Sequence, residues 1–460
     1  MESQGSISEL RTQIAETTRE IIKLAGQRNK LARRVGALKS SQSLPAEDER
    51  VEDALLKQVL SECDHSGLER SAGLRIFRVL LEESKKTQGL SDLPSPMLRA
   101  AKAMALQSKG VRVIRLDVGE PDFRPPKRVL EACTEALLGF KTHYTGPRGI
   151  PELLTAIREY VKRKQGTQVD PDQVMATPSG RFAVYAALAS TVHEGESAIV
   201  LEPNWPAYRE ILNHLHAKPI TIRTTLEGKW APSLEEIESA VRPNTRALIL
   251  SFPNNPTGKI IDPRLYKSIM RLADEKDLTV ISDEIYNEYS YRKCPSVLDS
   301  PPRKFVLTAS FSKTWAMTGF RVGYAVSSKE TISSMAKVAS LTVTSVPEFI
   351  QYGAIEALKA DLEVRRNVKT IRSRIEAVSE ALAEIPSLEF TKPEGAMYFF
   401  PRLKRYRGGG ERFCDDLLEK GVSVTPGTSF GDYHDFFRIS LGQPEETVLE
   451  GVSRIGGLLA

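Results

Sequence analysis

The sequence predicts an all-α module followed by a larger α/β domain built on a mostly parallel sheet. The first 90 residues contain a single proline, Pro45, and show the pattern of three helices. The rest of the 460-residue chain alternates short apolar runs with helical segments and holds the other prolines. Residues 89–96 form a turn-rich stretch between the two patterns. We therefore expect a helical domain over residues 1–90, a linker over 91–95 and a second domain over 96–460.

The first helix, predicted over residues 8–39, carries an apolar stripe with heptad spacing. Such a stripe is typical of a coiled coil. At 1.5 Å per residue this helix is about 48 Å long, too long to bury its stripe within a 90-residue monomer. We expect the stripe to pair with a second copy of the chain. The stripe, called the seam below, comprises Leu10, Ile14, Thr17, Ile21, Leu24, Arg28, Leu31, Val35 and Leu38.

Two further helices are predicted over about residues 45–63 and 68–88. Their polar residues share faces, because Asp48 and Glu52 are four positions apart, as are Ser84 and Gln88. Arg28 occupies a seam position, where a charge is costly unless it is paired or binds an anion. A solvated arginine head, reached by a long side chain, is the alternative.

Composition limits the class of protein. The net charge of +5 is small, no stretch of about 18 apolar residues exists, and the N-terminus lacks the apolar core of a secretory signal. The four cysteines are scattered, without the spacing of a metal site or a disulfide framework. We expect a cytoplasmic protein with no metal, no membrane segment and no nucleic-acid partner. A nucleic-acid arm over residues 28–39 is disfavoured by the acidic residues of the next two helices.

In the second domain, four apolar runs end in clusters of polar residues. Ligands of parallel sheets bind at the carboxyl ends of the strands, so four clusters at successive strand ends indicate one site. The runs and their clusters are residues 198–201 with 202–205, 247–250 with 253–258, 278–281 with 283–286, and 305–307 with 310–313.

The residue types in these clusters fit pyridoxal phosphate (PLP). An isolated lysine is usually a solvated surface charge, but Lys313 has suitable neighbours. PLP needs a lysine for covalent attachment, a carboxylate for the pyridine nitrogen and a cup for the phosphate. Asp283 can supply the carboxylate and Arg321 can reach the cup. Asn255 and Tyr286 can hydrogen-bond the phenolic oxygen.

Eight stretches, in order, resemble the class I/II aminotransferases of PLP fold type I. The resemblance covers about residues 95–460 and implies an aspartate aminotransferase-like fold, with a large domain over about 140–345 and a small α+β domain from 96–135 plus 346–460. The stretches are GEPDF (119–123), YTGPRGI (144–150), NPTG (255–258), SDEIY (282–286), SFSK (310–313), GFRVG (319–323), EGAMY (394–398) and FRIS (437–440).

The resemblance implies a role for each matching residue. Lys313 binds the cofactor covalently and, once released, moves the substrate proton, while Asp283 pairs with the pyridine nitrogen. Arg438 grips the substrate carboxylate in a bidentate fork. Trp205 stacks on the ring, and Gly119 and Asn255 lie beside the substrate. The phosphate cup comprises Ser179, Gly180, Arg181, Ser310, Ser312 and Arg321, with Tyr144 reaching the neighbouring subunit's phosphate. Together with the paired seam of the first helix, this implies a homodimer through both domains.

Residues 5–90 resemble the all-helical chorismate mutases, which form an intertwined dimer. The matching residues are Glu9 to Arg11, Arg28, Asn29, Val35, Gly36, Lys39, Asp48, Glu52, Leu81 to Ser84, and Gln88. The reaction is a unimolecular rearrangement that needs bound carboxylates and a stabilised ether oxygen. By resemblance, Arg28 and Arg11 of the partner subunit bind carboxylates, Lys39 and Gln88 face the ether oxygen, and Asp48 and Glu52 position the ring, with Ser84 nearby.

One position departs from the mutase pattern. The family has an arginine directly before the glutamate, whereas here Val51 precedes Glu52 and Arg50 stands one residue earlier. One position rotates a side chain by about 100° around a helix. Arg50 can still reach the substrate through its long side chain, or mutase activity is reduced.

Two readings of function follow. In the first, a bifunctional enzyme of aromatic amino-acid biosynthesis makes prephenate and then aminates prephenate or an aromatic 2-oxo acid, with glutamate or aspartate as donor. In the second, an aspartate aminotransferase carries a non-catalytic dimerisation or regulatory helical domain. Other fold-type-I reactions, such as β-elimination or decarboxylation, share the core motifs.

Overall fold

The computed structural model describes residues 7–41, 49–87 and 95–460. The chain divides into two compact units, Met1–Leu98 and Arg99–Ala460. Among the described residues, no helix combines the length and the apolar character that a membrane crossing requires. The four cysteines are free thiols.

The first unit contains the three predicted helices. They are α1 (Ile7–Ser41), α2 (Glu49–Ser66) and α3 (Arg70–Thr87), and α3 packs against both of the others. Ala32, Cys63 and Phe77 are buried among them. The apolar seam side chains of α1 face away from this core, because all seven are between 44% and 66% exposed. Within one chain, the described residues therefore leave these seven apolar side chains largely exposed.

The helices of the second unit are α4 (Ser95–Ser108), α5 (Lys127–Leu138), α6 (Pro151–Gln165), α7 (Gly180–Thr191), α8 (Ala207–His214), α9 (Leu234–Ala240), α10 (Pro263–Glu275), α11 (Phe311–Thr314), α12 (Lys329–Thr342), α13 (Glu348–Ala357), α14 (Asp361–Ala383), α15 (Gly409–Glu419) and α16 (Glu445–Leu459). The division between the two units falls in the first turns of α4.

The strands are β1 (Ile114–Arg115), β2 (Val174–Thr177), β3 (Ser197–Glu202), β4 (Lys218–Arg223), β5 (Thr245–Ser251), β6 (Thr279–Asp283), β7 (Phe305–Ser310), β8 (Gly323–Ser327), β9 (Leu388–Glu389), β10 (Tyr398–Phe399), β11 (Arg402–Leu403), β12 (Val422–Ser423), β13 (Thr425–Pro426) and β14 (Phe437–Ser440).

Seven strands form the central sheet in the order β2-β8-β7-β6-β5-β3-β4. The pairings among β3 to β7 are parallel, and only β8 runs antiparallel to its neighbours β2 and β7. Both faces of the sheet are covered. Leu248 and Leu250 belong to one apolar cluster, whereas Ala247 and Ile249 belong to another, as expected when alternate residues of a strand point to opposite faces. The prediction of a mostly parallel sheet is confirmed.

A separate set of short strands brings the N-terminal and C-terminal parts of the second unit together. β1 pairs with β12, and β14 lies between β10 and β13. A third apolar cluster joins these strands to α14 and α16. By contrast, buried residues of α5 and α13 belong to the cluster of the central sheet, although the predicted small domain includes α13 and most of α5. The exact domain limits stay a prediction.

Candidate active sites

A cavity of about 260 Å³ lies at the carboxyl ends of the parallel strands. Twelve of the fourteen residues predicted for the aminotransferase site line it: Gly119, Ser179, Gly180, Arg181, Trp205, Asn255, Asp283, Tyr286, Ser310, Ser312, Lys313 and Arg321. The strand-end clusters therefore converge as the parallel topology requires. Four more lining residues were not predicted, namely Tyr208, Ser251, Ile285 and Tyr398.

Lys313 stands in α11, the short helix that directly follows β7. Its Nζ donates a hydrogen bond to the carbonyl oxygen of Gly119 at 2.5 Å. Burial lowers the pKa of Lys313 to about 8, and the positive charges of Arg438 and Arg321 act in the same direction, against the attraction of Glu120. The amine is therefore much closer to its neutral, nucleophilic form than a surface lysine.

Asp283 ends β6 and is buried in the cavity wall. Tyr208 Oη donates a hydrogen bond to Asp283 Oδ2 at 2.6 Å. Burial raises the pKa of Asp283 to about 6, and the bond from Tyr208 limits the rise. A cationic ring nitrogen in the cavity would therefore stabilise the charged form of this carboxylate.

Arg438, on β14, is buried beside the cavity rather than lining it. Its Nη1 donates to Asn255 Oδ1 at 2.9 Å and its Nη2 to the carbonyl oxygen of Asp117 at 2.6 Å. Its Nε is buried and has no hydrogen-bond partner among the described residues. A buried guanidinium with a donor to spare suits a carboxylate ligand.

The start of α7 contributes Ser179, Gly180 and Arg181 to the cavity lining. Ser179 caps this helix, since its Oγ accepts a hydrogen bond from Phe182 N at 3.3 Å. Its φ of +101° lies in the region that favours glycine. Gly180 follows, and a Cβ there would lie 2.9 Å from Ser310 Cβ. The helix N-terminus is thus held tightly against β7, with its N–H groups available to an anion.

Two arginines add positive charge to the cavity lining. The Arg181 guanidinium lies over the Trp205 ring, with Cζ 4.6 Å from the ring centroid. Arg321 adopts a left-handed backbone, with φ +55°, and donates to Thr318 O at 2.7 Å. The cavity therefore has a cationic end for a phosphate, an aromatic wall for a planar ring and an acid for a ring nitrogen. This set of donors fits PLP.

Two predicted residues lie outside the cavity lining. Arg438 contacts it through Asn255 and Tyr398. Tyr144 is 89% exposed and contributes nothing to the cavity of its own chain. Its predicted role concerns the other subunit and stays a prediction.

In the first unit, the structure brings two predicted mutase residues together. Arg28 Nη1 donates to Ser84 Oγ and to the carbonyl oxygen of Leu80, both on α3. Ser84 is buried, and burial lowers the pKa of Arg28. The guanidinium is therefore bound within its own chain and is not a solvated head.

The other mutase residues are placed only in part. Arg11 is exposed and Lys39 half-buried, both on α1. Asp48 and Gln88 lie outside the described residues. Arg50 and Glu52 belong to α2, but their side chains lie outside the description.

Comparison with known families agrees with the division of the chain into a helical unit and a larger α/β unit. Residues 111–455 match the family of class I and II aminotransferases. The chain belongs to this family. Residues 10–89 match type II chorismate mutase. The prediction of a bifunctional enzyme of aromatic amino-acid biosynthesis, with a mutase domain ahead of an aminotransferase domain, is confirmed.

Individual relatives resemble the aminotransferase domain. An aspartate aminotransferase of Pyrococcus horikoshii is 35% identical over 355 residues, which cover 76% of this chain and 91% of that protein. The aspartate/prephenate aminotransferase of Thermus thermophilus is 34% identical, covering 78% of this chain and 94% of its own. The crystal structure of aspartate aminotransferase from Thermotoga maritima matches with a TM-score of 0.76 and 33% identity, covering 80% of this chain and 97% of its own.

Proposed function

We propose that the mutase domain converts chorismate to prephenate and that the aminotransferase domain transfers an amino group to prephenate. The observation that carries this proposal is the presence of both domains on one chain. Prephenate is itself a 2-oxo acid, so the product of the first reaction has the functional group that the second requires. Relatives in Aquifex aeolicus and Thermus thermophilus support this acceptor, because they are named probable aspartate/prephenate aminotransferase and aspartate/prephenate aminotransferase. Glutamate is the proposed donor, with aspartate as the second choice.

The aminotransferase cavity would hold PLP. The N-terminus of α7 with Arg181, Ser310 and Arg321 would hold the phosphate, and Asp283 would face the pyridine nitrogen. When bound, PLP carries the amino group and delocalises the electron pair left at the substrate Cα. Asn255 and Tyr286 would hydrogen-bond the phenolic oxygen, while Trp205 would cover the ring.

Side chains of the protein would bind the substrate carboxylate and transfer the proton. Arg438, buried and with its Nε unpaired, would bind the substrate α-carboxylate. Lys313 would accept the proton released at the substrate Cα and donate it at C4′ of the cofactor. Its lowered pKa suits both directions of transfer near neutral pH.

In the mutase domain, positioning and charge suffice because the rearrangement is unimolecular. Ser84 and the Leu80 carbonyl hold Arg28 in place for a substrate carboxylate. Arg11 of the partner subunit would bind the other carboxylate. The exposed apolar seam of α1 supports a homodimer, since a second copy would cover it.

The test incubates the full-length protein with chorismate, PLP and glutamate and identifies the products by mass spectrometry. We expect arogenate, the amination product of prephenate. Two variants test the two reactions separately. Arg28→Ala should stop chorismate conversion but still aminate added prephenate. Lys313→Ala should accumulate prephenate. Unchanged chorismate with the unmodified protein would contradict the mutase assignment, and prephenate that is never aminated would contradict the acceptor.

A second candidate, an aspartate aminotransferase with a non-catalytic helical domain, has two observations in its favour. Relatives from Pyrococcus horikoshii and Thermotoga maritima are named aspartate aminotransferases, and Val51 stands where mutases have arginine. This candidate predicts rapid aspartate and 2-oxoglutarate exchange, no consumption of chorismate and no amination of prephenate in the same assay.

A further inference from the structure

Tyr398 is one of the residues that line the aminotransferase cavity. It begins β10, is buried and shares the cavity lining with Lys313. Its Oη lies 2.5 Å from Tyr286 Oη, and the two rings meet edge to face with centroids 5.6 Å apart. A Cβ on Gly119 would lie 2.2 Å from Tyr398 Oη, so only glycine admits the phenol at this point. Tyr398 therefore contacts residues proposed to act on cofactor and substrate.

The direction of the bond between the two phenols follows from counting protons. Burial raises the pKa of both tyrosines, so both keep their protons at neutral pH. Each hydroxyl has one proton to donate. If Tyr286 donates its proton to the phenolic oxygen of the cofactor, its oxygen can only accept from Tyr398. The two hydroxyls then form a chain in which each bond polarises the next.

The ring of Tyr398 has a second contact. The Arg438 guanidinium lies over it, with Cζ 4.6 Å from the ring centroid. The centroid of the Phe430 ring lies 4.9 Å from the same Cζ. Two aromatic faces in a buried site fix a guanidinium through cation–π attraction. The hydroxyl and the ring of Tyr398 thus contact two different functional groups.

We propose that Tyr398 is a positioning residue with two separable roles: its hydroxyl donates to Tyr286, and its ring orients Arg438 for the substrate carboxylate. This inference rests on the proposed PLP-dependent function. A hydrogen bond that reaches the phenolic oxygen favours the form in which that oxygen carries a full negative charge. It therefore lowers the pKa of the Lys313–PLP linkage, because loss of the linkage proton leaves that charge on the oxygen.

Two substitutions separate the roles. Tyr398→Phe keeps the ring and removes the hydroxyl, and Tyr398→Leu removes both. The matched control is Tyr291→Phe, because Tyr291 Oη also makes a part-buried hydrogen bond, to Ala396 O at 2.6 Å, but Tyr291 does not line the cavity. Each holoenzyme is titrated by absorbance between pH 5 and pH 10, and its KM for glutamate and its thermal unfolding are measured.

We expect Tyr398→Phe to raise the pKa of the linkage by about 0.1–0.3 unit, with little change in KM, because the bond from Tyr286 remains and loses only the polarisation by Tyr398, roughly 10–30% of one hydrogen bond. Tyr398→Leu should raise the pKa similarly and increase KM roughly tenfold through loss of the ring face. Tyr291→Phe should titrate like the unmodified protein.

Two results would overturn the inference while leaving the proposed function intact. One is an unchanged linkage pKa in Tyr398→Phe, and the other is an unchanged KM in Tyr398→Leu, each with the fold retained by thermal unfolding. A different result would remove the proposed function itself: an unmodified protein that, with added PLP, shows no pH-dependent absorbance from a lysine linkage.

Discussion

The proposed attachment of PLP needs Lys313 as a neutral amine, so the surroundings of Lys313 decide how much of it is reactive. A solvated lysine, with a pKa near 10.4, is almost fully protonated at neutral pH. The cavity shifts this balance by withdrawing the amine from water and by surrounding it with arginines. The same arginines are proposed to bind the phosphate and the carboxylate, so the anion sites also activate the amine.

This gives a prediction for pH dependence. The neutral fraction of Lys313 falls tenfold per pH unit below its pKa of about 8 and is nearly complete above it. The rate at which added PLP attaches to the apoprotein should therefore rise from pH 6 to about pH 8 and then level off. Stopped-flow absorbance measures it. A rate still climbing steeply between pH 9 and pH 10 would show that the amine behaves like a surface lysine.

Residue types with chemical roles could be predicted from the sequence, but their mutual contacts could not. Lys313 and Asp283 were predicted because PLP needs an amine and a carboxylate, and Arg438 because its motif resembles that of the aminotransferases. The motif ending at Tyr398 was recognised without a role, since many tyrosines are only packing residues. Arg28 was assigned to a seam, and only the packing of α1 on α3 shows that its guanidinium contacts Ser84.

At the scale of elements, the cavity depends on how closely two backbone segments approach. Gly323 begins β8, next to β7 and the start of α7. A Cβ there would lie 2.7 Å from both Ala309 O and Gly180 N. These are backbone atoms, which cannot move aside as the end of a side chain can. Glycine at this position therefore sets the spacing of the proposed phosphate cup.

Gly323→Ala should accordingly weaken PLP binding by roughly ten- to a hundredfold, because overpacking costs about 1–3 kcal/mol and displaces the start of α7. Fluorescence titration of the apoprotein measures the Kd. Gly319→Ala is the matched control from the same motif, because, apart from its chain neighbours, no atom of the described residues lies within 4 Å of the added Cβ. Equal affinities for the two variants would contradict this account.

The sequence located most elements well. The polar clusters identified the ends of β3, β5, β6 and β7, because parallel strands are buried on both faces and their apolar runs stop where the site begins. The order of the strands, with antiparallel β8 between β2 and β7, depends on long-range pairing that no local pattern encodes. For the same reason the packing of α5 and α13 with the sheet was not predicted.

At the scale of the whole molecule, the exposed seam predicts that two chains pair through α1. Leu24 is 62% exposed within its own chain, so a polar residue there should leave the unit folded. In a dimer the same position would be buried, where a charge is costly. Leu24→Asp should therefore lower mutase turnover by at least about tenfold while amino transfer to added prephenate stays unchanged.

The comparison variant is Lys30→Asp, because Lys30 is exposed on α1 outside the seam. Steady-state assays of both reactions on the same preparations provide the measurement. Retained mutase turnover in Leu24→Asp, or equal loss in both variants, would argue against pairing through the seam.

The chain carries two units, divided between Leu98 and Arg99, in one polypeptide, and this has a consequence for the cell. Transcription, translation and degradation act on both catalysts together, so their copy numbers are always equal. A cell cannot correct an imbalance between the two steps by making more of one protein. The flux from the first reaction to the second must instead be balanced by the rate constants of the two domains, and selection on one domain then acts through the speed of the other.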